Sequence, residues 1–279
     1  MILRILSIII FFIAVYVLAY FSYREFIAID WNGTEGFMRS AIAILTFKFS
    51  TLYIIIYASL VTSFGYFLSR IVSFKKIIFG TFICGLVLLG IFVLLFSFGI
   101  YKALIAGAIG VLIFVVNKRL LLHNLIVLIS MAGIALSFAL VLSPFQAMIF
   151  FTLMAIFDSF AVYISGHNFI LVRAMIKAGN FNGLIIPFSS KNINAEISSA
   201  VKNSPYFALS SVDLILPAIF ALSLLQISTI HANIAFIGAM IGVIVGLCVS
   251  ERQKNKNPIS LLSFACFGAL LIYSIYILI

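Results

Sequence analysis

FQAMIFFTLMAIFDSFAVYI, residues Phe145 to Ile164, is 20 residues long and carries a single formal charge, on Asp158. A helix rises about 1.5 Å per residue, so a run of this length matches the roughly 30 Å hydrocarbon core of a bilayer. A carboxylate at mid-helix in that environment costs about 2.5–3.5 kcal/mol on insertion scales. The stretch therefore predicts a membrane span that retains Asp158 for a polar interior or for a function.

The rest of the chain agrees with that reading. Of its 279 residues, 65% are hydrophobic and 9% charged, with a mean hydropathy of +1.32. An ordinary globular chain is nearer about 45–50% apolar and 25% charged, and no water-soluble core could hide the excess. Nine apolar segments follow one another: Ile2 to Ser22, Ala41 to Phe64, Ile77 to Phe98, Ala103 to Val116, Leu125 to Leu142, Phe145 to Ile164, Tyr206 to Leu225, Ile234 to Val249 and Ile259 to Ile279. We expect an all-α, polytopic membrane protein of about nine helices, with residues 1–279 as one membrane domain. Its parts are residues 1–164 (six helices), 165–205 (a long connection) and 206–279 (three helices). The first run has a thin basic start at Arg4, no small-x-small cleavage site, and more length than a signal-peptide core, so it is kept as a helix. The fourth is short for a span, and its Gly107 and Gly110 suit close packing inside a bundle.

The formal charge of +10 comes from bases in the turns between apolar runs. That pattern fits membrane anchoring and excludes a nucleic-acid face, which would gather bases with aromatics along one surface. Even-numbered connections hold twelve Lys and Arg residues, including Arg70, Lys118, Arg119, Arg173 and Arg252, whereas odd ones hold Arg24, Arg39 and Lys102. The positive-inside rule then sets the N-terminus and even connections in the cytoplasm and the C-terminus outside the cell membrane. Cys84, Cys248 and Cys266 have no close Cys or His neighbour in sequence, so neither a disulfide framework nor a metal site is expected.

The connection from Ser165 to Pro205 opens with an amphipathic stretch, His167 to Ala178, whose Arg173 and Lys177 would reach lipid head groups. Leu184-Ile185-Ile186, stopped by Pro187, reads as an edge strand or as an apolar loop anchor. Gly238, Gly242 and Gly246, four residues apart, predict a face against which another helix packs closely.

Seven acidic residues occur in the chain, and only Asp158 and Asp213 interrupt predicted spans. Asp158 lies roughly 9 Å from the inner end of its helix and Asp213 roughly 12 Å along the next, if that helix begins near Pro205. Antiparallel neighbours would bring the two to one level. No Lys, Arg or His is expected at that depth, so the carboxylates would face each other, and ionising both is disfavoured by repulsion and desolvation. One then serves as base and the other as acid, as activating water against an amide carbonyl and protonating the departing nitrogen require. Proton or ion translocation and a purely structural contact use such a pair too. Pro217, four residues after Asp213, removes the amide that would bond the Asp213 carbonyl and bends the helix.

At these residues the chain resembles the presenilin and signal peptide peptidase family of intramembrane aspartyl proteases, its archaeal members in particular. Phe157-Asp158-Ser159-Phe160-Ala161-Val162-Tyr163, followed by His167, is similar to the family's Tyr-Asp motif. Ser210-Ser211-Val212-Asp213, followed by an apolar run and Pro217, is placed like Gly-x-Gly-Asp, and Pro258-Ile259-Ser260 like Pro-Ala-Leu. Phe157 stands where the motif has tyrosine, Ser210 and Val212 stand at its two glycines, and only the proline of Pro-Ala-Leu persists. The resemblance implies a catalytic pair, Asp158 and Asp213, working without metal or organic cofactor. It also implies a Pro258 segment that shapes the site, substrate entry between His167 and Pro187, and a strand near the start of the seventh helix or in the long connection that pairs with an unwound substrate. The implied partners are a transmembrane peptide or single-span protein and the surrounding lipid, with no obligate protein cofactor. Two other readings stay open: a catalytically silent relative that binds membrane helices, motivated by Ser210 and Val212, and a proton- or ion-coupled transporter, for which no internal repeat is evident.

Overall fold

The computed structural model describes residues 2–28, 75–117, 119–165, 181, 183–187, 194–197, 206–252 and 260–279. Among them are eight α-helices, α1 (Ile2–Ala28), α2 (Lys75–Leu95), α3 (Ile100–Val116), α4 (Leu120–Val141), α5 (Pro144–Phe160), α6 (Ser211–Ser223), α7 (Thr229–Arg252) and α8 (Leu261–Leu278). Strands β1 (Gly183–Pro187) and β2 (Tyr206–Ser210) complete the fold. The anticipated span Ala41 to Phe64 and the amphipathic stretch His167 to Ala178 lie outside the described residues.

Six of the described helices are long and apolar enough to cross a membrane, and α3 and the segment Ser211–Gln226 are apolar but shorter. Leu, Ile and Phe side chains are exposed along α1, α3 and α7, as expected where the surrounding medium is hydrocarbon. In lipid the tails compete with side chains for apolar contact, so helix association leans on close packing and interhelical hydrogen bonds.

The close packing rests on small residues. α4 is the buried centre, and Ser130, Ala132, Gly133, Ala135 and Ala139 keep its surface low enough for α1, α2 and α6 to pack against it. A Cβ built on Gly90 of α2 would fall 2.7 Å from the Ser130 Cα of α4, so that crossing admits no side chain. Gly107 in the short α3 meets the Leu88 carbonyl, as its sequence position suggested. α7 and α8 pack along the glycine face: a Cβ on Gly238 would approach the Gly268 carbonyl at 2.6 Å.

Local chemistry sets the helix starts. Ser143 and Gln146 form a reciprocal capping box around Pro144 at the head of α5. Between α2 and α3 the chain turns at Gly99, whose φ of 111° suits a residue without Cβ.

The segment Tyr206 to Leu225 is not one helix. Its first five residues form β2, and helix begins at Ser211 because Ser210 caps it, the Ser210 hydroxyl accepting the Val212 N–H at 3.3 Å. Beside the all-α bundle stands one two-stranded antiparallel sheet, in which Leu184-Ile185-Ile186 is a strand rather than a loop anchor. Gly183 pairs with Ser210, Ile185 with Ala208 and Pro187 with Tyr206.

Candidate functional site

Asp158 sits two residues before the end of α5, where the chain widens into a π-helical turn, Ala161–Ser165, and it is half-buried. The first turn of α8 meets it there. Ser260, the N-cap of α8 and 1% exposed, donates its hydroxyl to Asp158 Oδ2 at 2.6 Å. The same hydroxyl oxygen accepts the Ser263 N–H at 3.3 Å and lies 2.6 Å from the Ser263 hydroxyl. Ser263 in turn donates to the Ala155 carbonyl at 2.9 Å and contacts the Ser159 hydroxyl. Three serines therefore bind the last turn of α5 to the first turn of α8.

Asp213 occupies the first turn of α6 rather than a position two turns into a helix. The Ser210 hydroxyl caps the helix three residues before it by accepting the Val212 N–H. Pro217 is buried inside α6 and has no N–H to offer the Asp213 carbonyl. α5 packs directly on α6, and the charges of Asp158 and Asp213 lie within electrostatic reach of each other. Asp213, like Asp158, is half-buried.

The sheet leads into this junction, because β2 runs into α6 without an intervening residue. Its other strand is held by α4. Asn124 Nδ2 donates to the Ile185 carbonyl at 2.8 Å, and the Ile185 N–H donates to Asn124 Oδ1 at 3.0 Å. The His123 ring nitrogen Nε2 lies 3.2 Å from the Gly183 carbonyl. Both backbone groups of Ile185 are thereby used away from β2. In an antiparallel pair this makes Ile185 and Ala208 a non-hydrogen-bonded couple, so the N–H and C=O of Ala208 point away from β1. The outer edge of β1 is closed by α4, and among the described residues no strand pairs with the outer edge of β2.

Other residues singled out in the sequence fall around this junction in different ways. Phe157 and Tyr163 are exposed on the outside of α5 and its π-turn, Ser211 is buried, and Val212 is 38% exposed. Val212, in the place of a glycine, is thus not wedged into the helix packing. His167, Pro258 and Ile259 lie outside the described residues. Ser263, Ser159, His123 and Asn124 join the junction in the fold although their positions in the sequence assign them no role. Ser263 had a signal, three residues after an N-cap serine; His123 and Asn124 stood just before an apolar run and read as part of a connection. Among the described residues no three His, Cys, Asp or Glu side chains converge as metal ligands.

No family sequence model matches the chain, and no curated protein matches it in sequence. In three dimensions it is similar to a presenilin family intramembrane aspartate protease solved in a C222 space group, with a TM-score of 0.62 at 16% identity over 97% of both chains. A structure in a P2 space group, carrying the same description, gives a TM-score of 0.54 at 19% identity over 97% of this chain and 96% of that one.

Proposed function

We propose that this multi-pass membrane protein, which has the presenilin-like helical bundle, is an intramembrane aspartyl endopeptidase with Asp158 and Asp213 as its catalytic pair. What supports the reading is that α5 and α6, the helices carrying Asp158 and Asp213, pack together, that both residues are half-buried, and that Ser260 donates to Asp158. One carboxylate removes a proton from water as the oxygen adds to a peptide carbonyl carbon. The other supplies a proton to the departing nitrogen as the C–N bond breaks, so that the pair returns with one proton between them. Metal and organic cofactors have no step in this scheme.

The substrates proposed are single-span proteins or leftover signal peptides. A helix in hydrocarbon must give up internal hydrogen bonds before its amide is attacked, and an open strand edge restores some of them. β2 is the edge that supports this, since β1 is held by Asn124 and His123. On the orientation implied by the basic connections, the cut falls toward the cytoplasmic side. The test is cleavage of a single-span peptide by the purified protein in detergent. Asp158→Asn and Asp213→Asn are each expected to abolish product, a loss of about a hundred- to ten-thousandfold or more, with thermal unfolding unchanged. Full cleavage by either variant ends the assignment.

A second reading keeps the substrate contact and drops the chemistry. It is favoured by Ser210 and Val212, which put a hydroxyl and an exposed β-branched side chain beside Asp213. A silent binder crosslinks a membrane helix through β2 and releases no fragment; turnover by the unmodified chain rules it out.

A further inference from the structure

We propose that Ser260 is the positioning residue for Asp158, and that the hydroxyls of Ser260, Ser263 and Ser159 form a clamp that sets the orientation of its carboxyl group. The inference rests on the reading of Asp158 as a catalytic carboxylate and adds to it a group supplied by a different helix.

An aspartate near the end of a helix has two side-chain torsions to fix, and its neighbours along α5 are largely apolar. The contact at 2.6 Å from the Ser260 hydroxyl to Oδ2 supplies that restraint. Ser260 is suited to it because the residue does not move freely: it is 1% exposed and its oxygen is engaged by the Ser263 N–H as the α8 cap. The clamp is anchored at both ends on α5. Ser263 holds the Ala155 carbonyl, one turn before Asp158, while Ser260 holds Asp158 itself. A displacement of α8 relative to α5 would therefore be felt directly as a rotation of the carboxyl group. The contact also makes use of a departure, since the motif resembled here has leucine where this chain has Ser260, and leucine has no proton to donate.

The alternative is that Ser260 is a helix cap and nothing more. Glycine keeps most of the stability of a serine N-cap, alanine loses it, and threonine retains both cap and hydroxyl. The experiment compares Ser260→Gly, Ser260→Ala and Ser260→Thr in detergent. It reads kcat and KM on a single-span peptide, and the infrared carboxyl band identified by its loss in Asp158→Asn. The expected result is a fall in kcat of about tenfold or more in both the Gly and Ala variants, the size of a lost charge-assisted hydrogen bond. KM should be unchanged, the band should shift in both variants, and Ser260→Thr should restore rate and band. An unmoved band in Ser260→Gly overturns the proposal whatever the rates. A shifted band in a chain that cleaves nothing supports the clamp and overturns the protease reading, so the two failures are told apart.

Discussion

Helix α8 presents two seams to its neighbours, and different physics holds each. Against α7 the contact is made by the absence of side chains: Gly238 and Gly242 lie on the backbone of α8 around Gly268 and Phe264, where any Cβ meets main-chain atoms. Against α5 the contact is made by hydroxyls, with Ser260 and Ser263 reaching Asp158 and Ala155. The glycine seam is set by shape and tolerates no added volume. The serine seam is set by hydrogen bonds, which in a membrane are individually modest because a displaced donor finds another partner. One helix is thus fixed firmly along one neighbour and lightly along another, and the candidate catalytic carboxylate lies on the lightly held side.

The sharpest way to break this contrast is Gly242→Val. A Cβ there falls 2.7 Å from the Phe264 carbonyl carbon, and overpacking against backbone costs about 1–3 kcal/mol or more. Thermal unfolding in detergent should drop sharply; an unchanged midpoint would show that shape does not hold the α7–α8 seam. An intermediate effect is expected from Asn124→Leu, which removes the partner of the Ile185 N–H and C=O. Each costs up to about 1–3 kcal/mol when left unmet, and a small shift of this two-stranded sheet relieves it, whereas the main-chain clash of Gly242→Val has no such relief. Unfolding should shift less than for Gly242→Val, and equal shifts would erase the distinction between steric and hydrogen-bonded contacts. The smallest effect belongs to Ser263→Ala, about 0.6 kcal/mol for an interhelical hydrogen bond in a bundle. A loss as large as that of Asn124→Leu would mean the serine seam carries structural weight comparable to the clamp on β1.

The membrane class and most helices were legible because hydrocarbon imposes a composition that no soluble fold shares, and the aspartates stood out because carboxylates are costly there. The glycine face of α7 was legible for a related reason: spacing by four residues places small positions in one row whatever the partner. Tyr206–Ser210 is not distinguishable from helix in the sequence because a short apolar run has no period of its own; its conformation is set by pairing with β1 and by Ser210, which caps the helix that begins one residue later. That single displacement moved Asp213 from mid-helix to a first turn. The contact of Ser260 with Asp158 joins residues 102 positions apart. No local pattern announces it, and the substituted motif position that supplies it looked like a loss.

One consequence of the sheet geometry reaches the chemistry. Along the outer border of β2, alternate residues point their backbone groups outward, so Ala208 is followed in that role by Ser210, the residue that caps α6. Any extended chain zipped along that border meets its last outward-facing strand residue at the helix cap. There the border gives way to α6, three residues before Asp213.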